Sequence, residues 1–346
     1  MLGMHVRGTA LVVASAASFA LMSILAKDAS ALDAGVTTIL AGRFLLAAAL
    51  FTALAGWRGI RLRALPVRPA LIALALGGGI YATESAVYFS ALTHIDASIA
   101  SLVLCLYPAV VLVLAVGLRR ERAGVRQVSA LVLALAGALV VLSAGAGGQL
   151  DATGLLLTLS STLLYAVYVT CADTVSGALD PLAFGGLLSV GAGSALLLSG
   201  TVTGRLHPAA LADPAVATDV VLMAGVSTVL AVTAFFAGMR RIGATGASTI
   251  ASVEPVFTVA LAAVFLGETL SPVQALGGLV VLAGILLVQA PGHASPGGPV
   301  ALGGSSPAAR NAPPAVTSPD SLPWDGPPAR PAPAAPARAL TLEPAC

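Results

Sequence analysis

The chain has 346 residues, of which 58% are hydrophobic and 9% are charged, and its formal net charge is +2 at pH 7. Soluble domains carry about 25% charged residues, so this composition excludes an ordinary water-soluble protein. The small net charge also gives no reason to expect a nucleic-acid partner.

Apolar segments follow one another along the chain, and most approach the ~20 residues that a helix needs to cross a bilayer. The ten segments lie at 9–26, 34–56, 70–91, 97–118, 127–143, 153–172, 181–202, 220–239, 244–266 and 273–290. Their length and the lack of ten-residue alternation favour helices over barrel strands. The sequence therefore predicts an all-α membrane protein with ten transmembrane helices. The first segment is interpreted as a spanning helix rather than a cleaved signal peptide.

The end of the chain, residues 291–346, has a different composition. It holds 14 of the 22 prolines, together with many Ala and Gly residues. Such a segment buries too little apolar surface to offset the entropy of its chain. We expect a disordered tail on the cytoplasmic side.

The rest of the chain contains an internal repeat. A shift of 147 residues overlays residues 78–141 on 225–288 without a gap, and 16 of these 64 pairs are identical. Apolar bias explains matched Leu, Ala and Val residues, but it does not explain matched polar residues such as Glu121 with Glu268. The sequence therefore predicts two related units.

The two predicted units, residues 8–143 and 152–290, each hold five helices. Because five is odd, the second unit must enter the membrane from the opposite side. The arginines test this arrangement, since cytoplasmic loops collect Lys and Arg. Basic residues follow helices 2 and 4 in the first unit but helix 8 in the second: Arg58, Arg61, Arg63 and Arg68; Arg119, Arg120, Arg122 and Arg126; Arg240 and Arg241. This change of loops indicates an inverted repeat with both termini in the cytoplasm.

The units also share an ordered set of motifs. The first carries Ile95-Asp96-Ala97-Ser98, Tyr107-Pro108, Glu121, Gln127 and Gly137, and the second carries Ile242-Gly243-Ala244, Glu254-Pro255, Gly267-Glu268, Gln274 and Gly284. Over residues 8–290 this pattern resembles the EamA-type transporters of the drug/metabolite transporter superfamily. The resemblance implies a ten-helix carrier with inverted repeats. Such carriers move small solutes or metabolites, often outward, through a central cavity.

Charged side chains deep in a spanning helix are costly and usually face protein or water. Arg43 in helix 2 and Glu84 in helix 3 lie roughly 15 Å and roughly 12 Å from the outer ends of their helices, at 1.5 Å per residue. We predict a structural ion pair between them. Glu84 is also a candidate substrate contact, because Tyr81, Glu84 and Tyr88 share one helix face.

Glu254 and Tyr107 precede Pro255 and Pro108 near the middle of their segments. Proline interrupts a spanning helix, and inverted-repeat carriers bind solutes at such paired interruptions. We predict that Glu254 and Tyr107 line the substrate cavity. Further candidate contacts are Ser101, Ser248, Phe19 and Tyr165. Core packing explains the two aromatic candidates equally well.

The sequence offers no catalytic constellation. No Asp lies well inside a predicted span and the histidines are peripheral, so no metal or cofactor is expected. The paired Gly137 and Gly284 are predicted to let helices approach closely.

The predicted function is secondary transport of a small organic solute. Lys27 is the only lysine beside sixteen arginines, a bias that suggests a GC-rich, bacterial genome. The predicted location is therefore the cytoplasmic membrane of a bacterium. The partners are the solute and the lipid bilayer, with protons as the candidate coupling ion, and the protein is expected to be a monomer or homodimer. A passive channel, or a membrane enzyme or sensor, stays open as an alternative.

Overall fold

The structure is a computed structural model that describes residues 2–32, 34–61, 64–117, 124–145, 151–176, 178–242, 247 and 250–289. Within these residues the chain forms helices and connections without a β-strand, which confirms the all-α prediction. The predicted tail lies outside the described residues, so its disorder stays a prediction. Ser248 and the basic cluster at 119–122 lie outside them as well.

We number the described helices α1 to α10 in chain order. They are α1 (Leu2–Ala31), α2 (Val36–Trp57), α3 (Val67–Leu92), α4 (Ala97–Leu104 and Tyr107–Gly117), α5 (Val125–Gly145), α6 (Ala152–Ser176), α7 (Pro181–Thr203), α8 (Pro214–Ile242), α9 (Glu254–Leu266) and α10 (Pro272–Gln289). Two of them contain a π-helical turn at equivalent places, Gly77–Tyr81 in α3 and Gly225–Leu230 in α8.

Not all of these helices carry an apolar stretch as long as a membrane span. Seven described helices are long and apolar enough to cross a membrane, namely α1 to α4 and α6 to α8. The apolar parts of α5, α9 and α10 have only 10–17 residues. Such lengths cover about 15–26 Å, which is less than the ~30 Å hydrocarbon core. The predicted count of ten spanning helices is therefore not confirmed.

Aspartate and glycine residues set the ends of two helices. Asp180 and Asp213 accept hydrogen bonds from the backbone N–H groups of Leu182 and Ala215, at 2.9 and 2.8 Å, and so cap α7 and α8. In both helices a proline takes the first position, where its missing N–H costs no hydrogen bond. Gly204 ends α7 with a φ of 68°, a left-handed conformation that glycine adopts without strain.

Helices of the first unit pack against helices of the second. On α2 and α7, Leu45 lies beside Gly193 and Phe51 lies beside Gly185, so residue numbers rise along one helix as they fall along the other. These two helices are equivalent in the repeat, and they run antiparallel. Extensive contacts also join α1 with α8 and α6 with α3, which are equivalent pairs under the repeat.

The helices α5 and α10 also run antiparallel, and their backbones approach closely. A Cβ atom added to Gly137 would lie 2.6 Å from the backbone nitrogen of Val281, and one added to Gly284 would lie 2.7 Å from that of Ala134. A side chain at either position would therefore push the two helices apart. Glycine at both positions allows this contact.

The connections between helices gather at two ends of the molecule. At the first, Lys27 Nζ lies 2.7 Å from Glu268 Oε1, and His94 Nδ1 lies 2.7 Å from Asp151 Oδ2. We call it the acidic end. At the opposite end, which we call the basic end, the start of α1 packs beside Arg241. The connections near Lys27, His94, Asp151 and Glu268, which alternation of the predicted helices assigns to one side of the membrane, thus meet at one end.

Candidate functional site

The backbone is interrupted at equivalent places in the two units. Residues 105–106 form a turn between the two parts of α4, and residues 252–253, which lie 147 positions later, form the turn before α9. Tyr107 and Glu254 each begin the helical part that follows. The interruptions therefore present these two side chains at matching positions of the two units.

The prolines of this pair follow directly. Pro108 and Pro255 are the second residues of their helical parts, where the backbone N–H has no partner in the helix. The break therefore lies before each proline, and neither proline removes an intrahelical hydrogen bond. This is the local reason why the chain tolerates an interruption here.

Glu254 is the acidic member of the pair. It lies within electrostatic reach of Tyr88, Cys105, Tyr107 and Tyr165. Within the described residues, no hydrogen bond or ion pair to its carboxylate is present. Its side chain nevertheless keeps some accessible surface, whereas Pro255 beside it is buried. Glu254 thus lies within electrostatic reach of Tyr107, and no described residue pairs with its carboxylate.

The chain has five tyrosines, and all of them lie around Glu84 and Glu254. Four of them form a row of ring contacts that we call the tyrosine cluster. The ring centroids are 4.9 Å apart for Tyr107 and Tyr165, 5.8 Å for Tyr165 and Tyr168, and 4.9 Å for Tyr168 and Tyr81. The cluster connects α3, α4 and α6, and so provides an aromatic wall beside Glu254.

The fifth tyrosine, Tyr88, is fixed by a hydrogen bond. Its hydroxyl oxygen lies 3.0 Å from Ser23 Oγ on α1, and either atom can donate. Tyr88 is within electrostatic reach of both Glu84 and Glu254. It is therefore near both carboxylates of this region, the buried Glu84 on α3 and the partly exposed Glu254 on α9.

Glu84 is held by hydroxyl groups. The Ser161 hydroxyl donates to Oε1 at 2.8 Å, and the Ser85 hydroxyl donates to Oε2 at 3.2 Å. Both oxygens of this carboxylate are thus satisfied inside the protein. This arrangement ties α3 of the first unit to α6 of the second.

Arg43 is buried and does not pair with Glu84, so the predicted ion pair is wrong. Its Nε donates to Thr228 Oγ1 at 3.2 Å, and its guanidinium carbon lies 4.6 Å from the ring centroid of Phe44 and 5.7 Å from that of Phe89. The depths of Arg43 and Glu84 matched, but their partners come from the second unit: Thr228 on α8 for the arginine and Ser161 on α6 for the glutamate.

The remaining predicted contacts are placed differently. Ser101 is buried, and its hydroxyl donates to the backbone oxygen of Ser98 at 2.9 Å, so its hydrogen bond is made within its own helix. Phe19 is half-buried on α1 and takes part in no ring contact among the described residues. Tyr165 belongs to the tyrosine cluster. Ser248 lies outside the described part of the chain.

Several residues of this region were not predicted. Tyr168 and Ser161 both lie on α6, where the spacing to Tyr165 places all three near one helix face. That spacing was a readable signal. Asp219 was not singled out either: it is the sixth residue of α8, near the start of that helix, and it is buried, with Oδ2 lacking a hydrogen-bond partner among the described residues.

A second polar network closes the acidic end. Glu268 accepts hydrogen bonds from Lys27 Nζ at 2.7 Å, from the backbone N–H groups of Ala97 and Ser98 at 2.9 and 3.0 Å, and from the Ser98 hydroxyl at 2.8 Å. Burial alone would raise the pKa of Glu268, but these donors together lower it. The carboxylate thus caps α4 and joins it to α1. We call this group the Glu268 network.

The geometry can now be compared with known proteins. A family model described as the EamA-like transporter family matches residues 6–143 and 152–290. A solved crystal structure of a protein is similar to this chain with a TM-score of 0.60 at 20% sequence identity, and the match covers 81% of this chain and 96% of that one. At this identity the likeness concerns the fold alone. No curated protein matches the sequence.

Proposed function

The chain belongs to the EamA-like transporter family, and from this we propose that it is a secondary carrier for a small organic solute or metabolite. One observation carries the proposal. The two units are interrupted at equivalent places, 105–106 and 252–253, directly before Tyr107 and Glu254, and these two side chains lie within electrostatic reach of each other. Carriers with inverted repeats bind their solutes at such interruptions near the middle of the membrane.

The directions of the helices support alternating access. α2 runs antiparallel to its equivalent α7, and α5 runs antiparallel to its equivalent α10. Two units of opposite orientation can move against each other and expose one site first to one side and then to the other. We place the basic end and both chain termini in the cytoplasm, because cytoplasmic loops collect arginine. The membrane is then the cytoplasmic membrane of a bacterium.

The Glu268 network gives the carrier a closed acidic end. It connects Lys27 on α1 of the first unit with the connection between α9 and α10 of the second. A movement of one unit against the other that opens this end must separate the two residues. The network therefore belongs to one of the two conformations of the cycle.

We assign an outward direction of transport, which the family resemblance suggests, and protons as the coupling ion. Glu254 is the candidate proton site because its carboxylate lacks a partner among the described residues. A proton and a solute can then compete for the same carboxylate, which is the simplest form of exchange.

The proposal is tested by solute exchange in proteoliposomes. Purified protein is reconstituted, and a panel of radiolabelled amino acids, amines and other metabolites is screened for uptake into vesicles preloaded with the same unlabelled solute. A carrier accelerates labelled uptake when solute is present on the opposite side, whereas a channel does not. We expect this acceleration for at least one solute, and its loss in Glu254→Ala. Uptake without acceleration would show a passive channel.

A further inference from the structure

We propose that the site at Glu254 takes organic cations: solutes with one positively charged amine or ammonium group on an apolar or aromatic body. This inference rests on the proposed function, since it concerns the solute of the same site. It follows from the charges and the surfaces around the carboxylate.

Within the described part of the chain, no side chain pairs with the charge of Glu254. Among the described residues, Arg43 is the only basic side chain that is buried. No ion pair joins the two: the described ion pairs all lie at the acidic end, at Lys27 and His94. An unpaired carboxylate in a low-dielectric interior is costly, so a positive charge that enters the site is stabilised strongly.

The surfaces beside the carboxylate suit a cation. Aromatic faces attract positive charge, and desolvated contacts of this kind are worth about 2 kcal/mol. The rings of Tyr107 and Tyr165 meet edge to face with an interplanar angle of 86°, so their contact takes up one face of one ring instead of stacking two faces together. Tyr88 is fixed by Ser23 on the neighbouring helix. The site therefore combines one negative charge with aromatic surfaces and few other polar groups.

The same geometry argues against anionic solutes. A solute carboxylate would need a free basic group, and the guanidinium of Arg43 faces the rings of Phe44 and Phe89 while its Nε is bonded to Thr228. Glu84 adds a second negative charge at the other end of the cluster, beside Tyr81 and Tyr168, with both oxygens bonded to serine hydroxyls. The interior thus favours one positive charge over a zwitterion or an anion.

The test measures binding of three small probes to the full-length protein in nanodiscs by equilibrium dialysis. The probes share a phenyl ring and differ in charge: benzyltrimethylammonium, benzyl alcohol and phenylacetate. We expect saturable binding of benzyltrimethylammonium alone. Glu254→Gln should weaken it by about tenfold or more, because the variant loses the charge attraction and keeps the shape.

Two further variants make the result specific. Asp219→Asn removes another buried carboxylate, which lies on α8 outside the tyrosine cluster, and should leave binding of the probe unchanged. Tyr165→Leu removes one aromatic face and should weaken binding, whereas Tyr165→Phe keeps the face and should not. The two Tyr165 variants test the inference even where Glu254→Gln does not fold.

The outcomes separate this inference from the proposed function. Saturable binding of phenylacetate or benzyl alcohol in preference to the cation overturns it, as does equal binding of the cation by wild type and Glu254→Gln. Absence of saturable cation binding overturns it too. Where a neutral or anionic solute still shows accelerated exchange in proteoliposomes, the carrier stands and only the solute class is wrong. Cation binding without exchange of any solute would instead contradict the proposed carrier function.

Discussion

Two buried charged residues of the first unit are held in part by side chains of the second. Ser161 on α6 donates to Glu84 on α3, and Thr228 on α8 accepts from Arg43 on α2. Each contact satisfies a buried charged group with a neutral hydroxyl. Two side chains at similar depth on adjacent helices therefore need not be partners. The rotation of each helix about its axis decides which neighbouring side chain a residue contacts.

The hydrogen bond to Glu84 gives a first prediction. Ser161→Ala removes one donor and leaves a buried carboxylate oxygen without its partner, which costs about 1–3 kcal/mol. We expect a lower unfolding temperature in detergent. Ser160→Ala is the matched control, because Ser160 is exposed and its hydroxyl donates to the Leu156 backbone oxygen of its own helix at 2.7 Å. Equal unfolding temperatures for the two variants would show that Glu84 does not depend on Ser161.

The candidate site was predictable in part. Glu254 and Tyr107 stand out because a charged or aromatic residue next to a paired proline is rare in an apolar segment, and Tyr165 lies in ring contact with Tyr107 in the structure. The pairing of Arg43 was not predictable from depth alone. The role of Ser101 was also missed, because a serine hydroxyl in a helix readily bonds a carbonyl oxygen of its own backbone.

At the scale of the helices, the contact between α5 and α10 depends on missing side chains. Gly137→Ala places a methyl group where the backbone of Val281 lies, so α10 must move away. Overpacking of this kind costs about 1–3 kcal/mol. We expect a lower unfolding temperature for this variant.

The matched control is Gly56→Ala. Gly56 also lies in a helix, α2, but a Cβ atom there would meet nothing within 4 Å. Alanine favours helix over glycine by up to about 1 kcal/mol, so this variant should be as stable as the wild type or more stable. A Gly137→Ala protein that unfolds at the wild-type temperature would contradict the close contact.

The Glu268 network gives a prediction about pH. The folded protein lowers the pKa of Glu268, so the carboxylate contributes to stability above the ordinary pKa of about 4.3. This contribution is lost as the pH falls through the lowered value. Below that pH, we expect the backbone amides of Ala97 and Ser98 to exchange hydrogen faster than the amides of later turns of α4.

Glu268→Gln provides the comparison for that experiment. It keeps an oxygen that can accept a hydrogen bond but has no charge to titrate, so the acid-dependent part of the exchange should disappear. Persistence of the same pH dependence in the variant would assign it to another group, such as the pair of His94 and Asp151, where hydrogen bonds from Thr153 and His94 lower the pKa of Asp151.

Helix breaks and helix lengths were predicted with different success. The breaks before Pro108 and Pro255 follow from local chemistry, because proline lacks an N–H. The π-helical turns Gly77–Tyr81 and Gly225–Leu230 have no such local rule. The predicted bounds of α5 and α10, 127–143 and 273–290, agree with the described helices Val125–Gly145 and Pro272–Gln289. The predicted segment 244–266 is instead divided by the turn at 252–253, so α9 begins only at Glu254.

For the molecule as a whole, the arrangement of the two units predicts which loops share a side of the membrane. In a protein without native cysteines, single cysteines at Arg61 and Arg240 should react with an impermeant maleimide only from the cytoplasmic side. A cysteine at His94 should react only from the outside. Labelling of the positions at 61 and 240 from different sides would rule out the inverted arrangement.

The repeat explains why the fold was largely readable from the sequence. Antiparallel packing of equivalent helices follows from an odd number of helices in each unit, and the contacts of α2 with α7 fit it. The repeat does not predict how the two units differ. Those differences depend on single positions, such as Glu254 in the second unit where the first unit has Tyr107.

That one substitution has an energetic consequence. If the two units were identical, each could adopt the shape of the other, and the conformations open to either side would be degenerate in free energy. Glu254 in one unit and Tyr107 in the other remove this degeneracy. The empty protein should therefore rest unequally between its two openings, and the ligand that neutralises the lone carboxylate should redistribute that population.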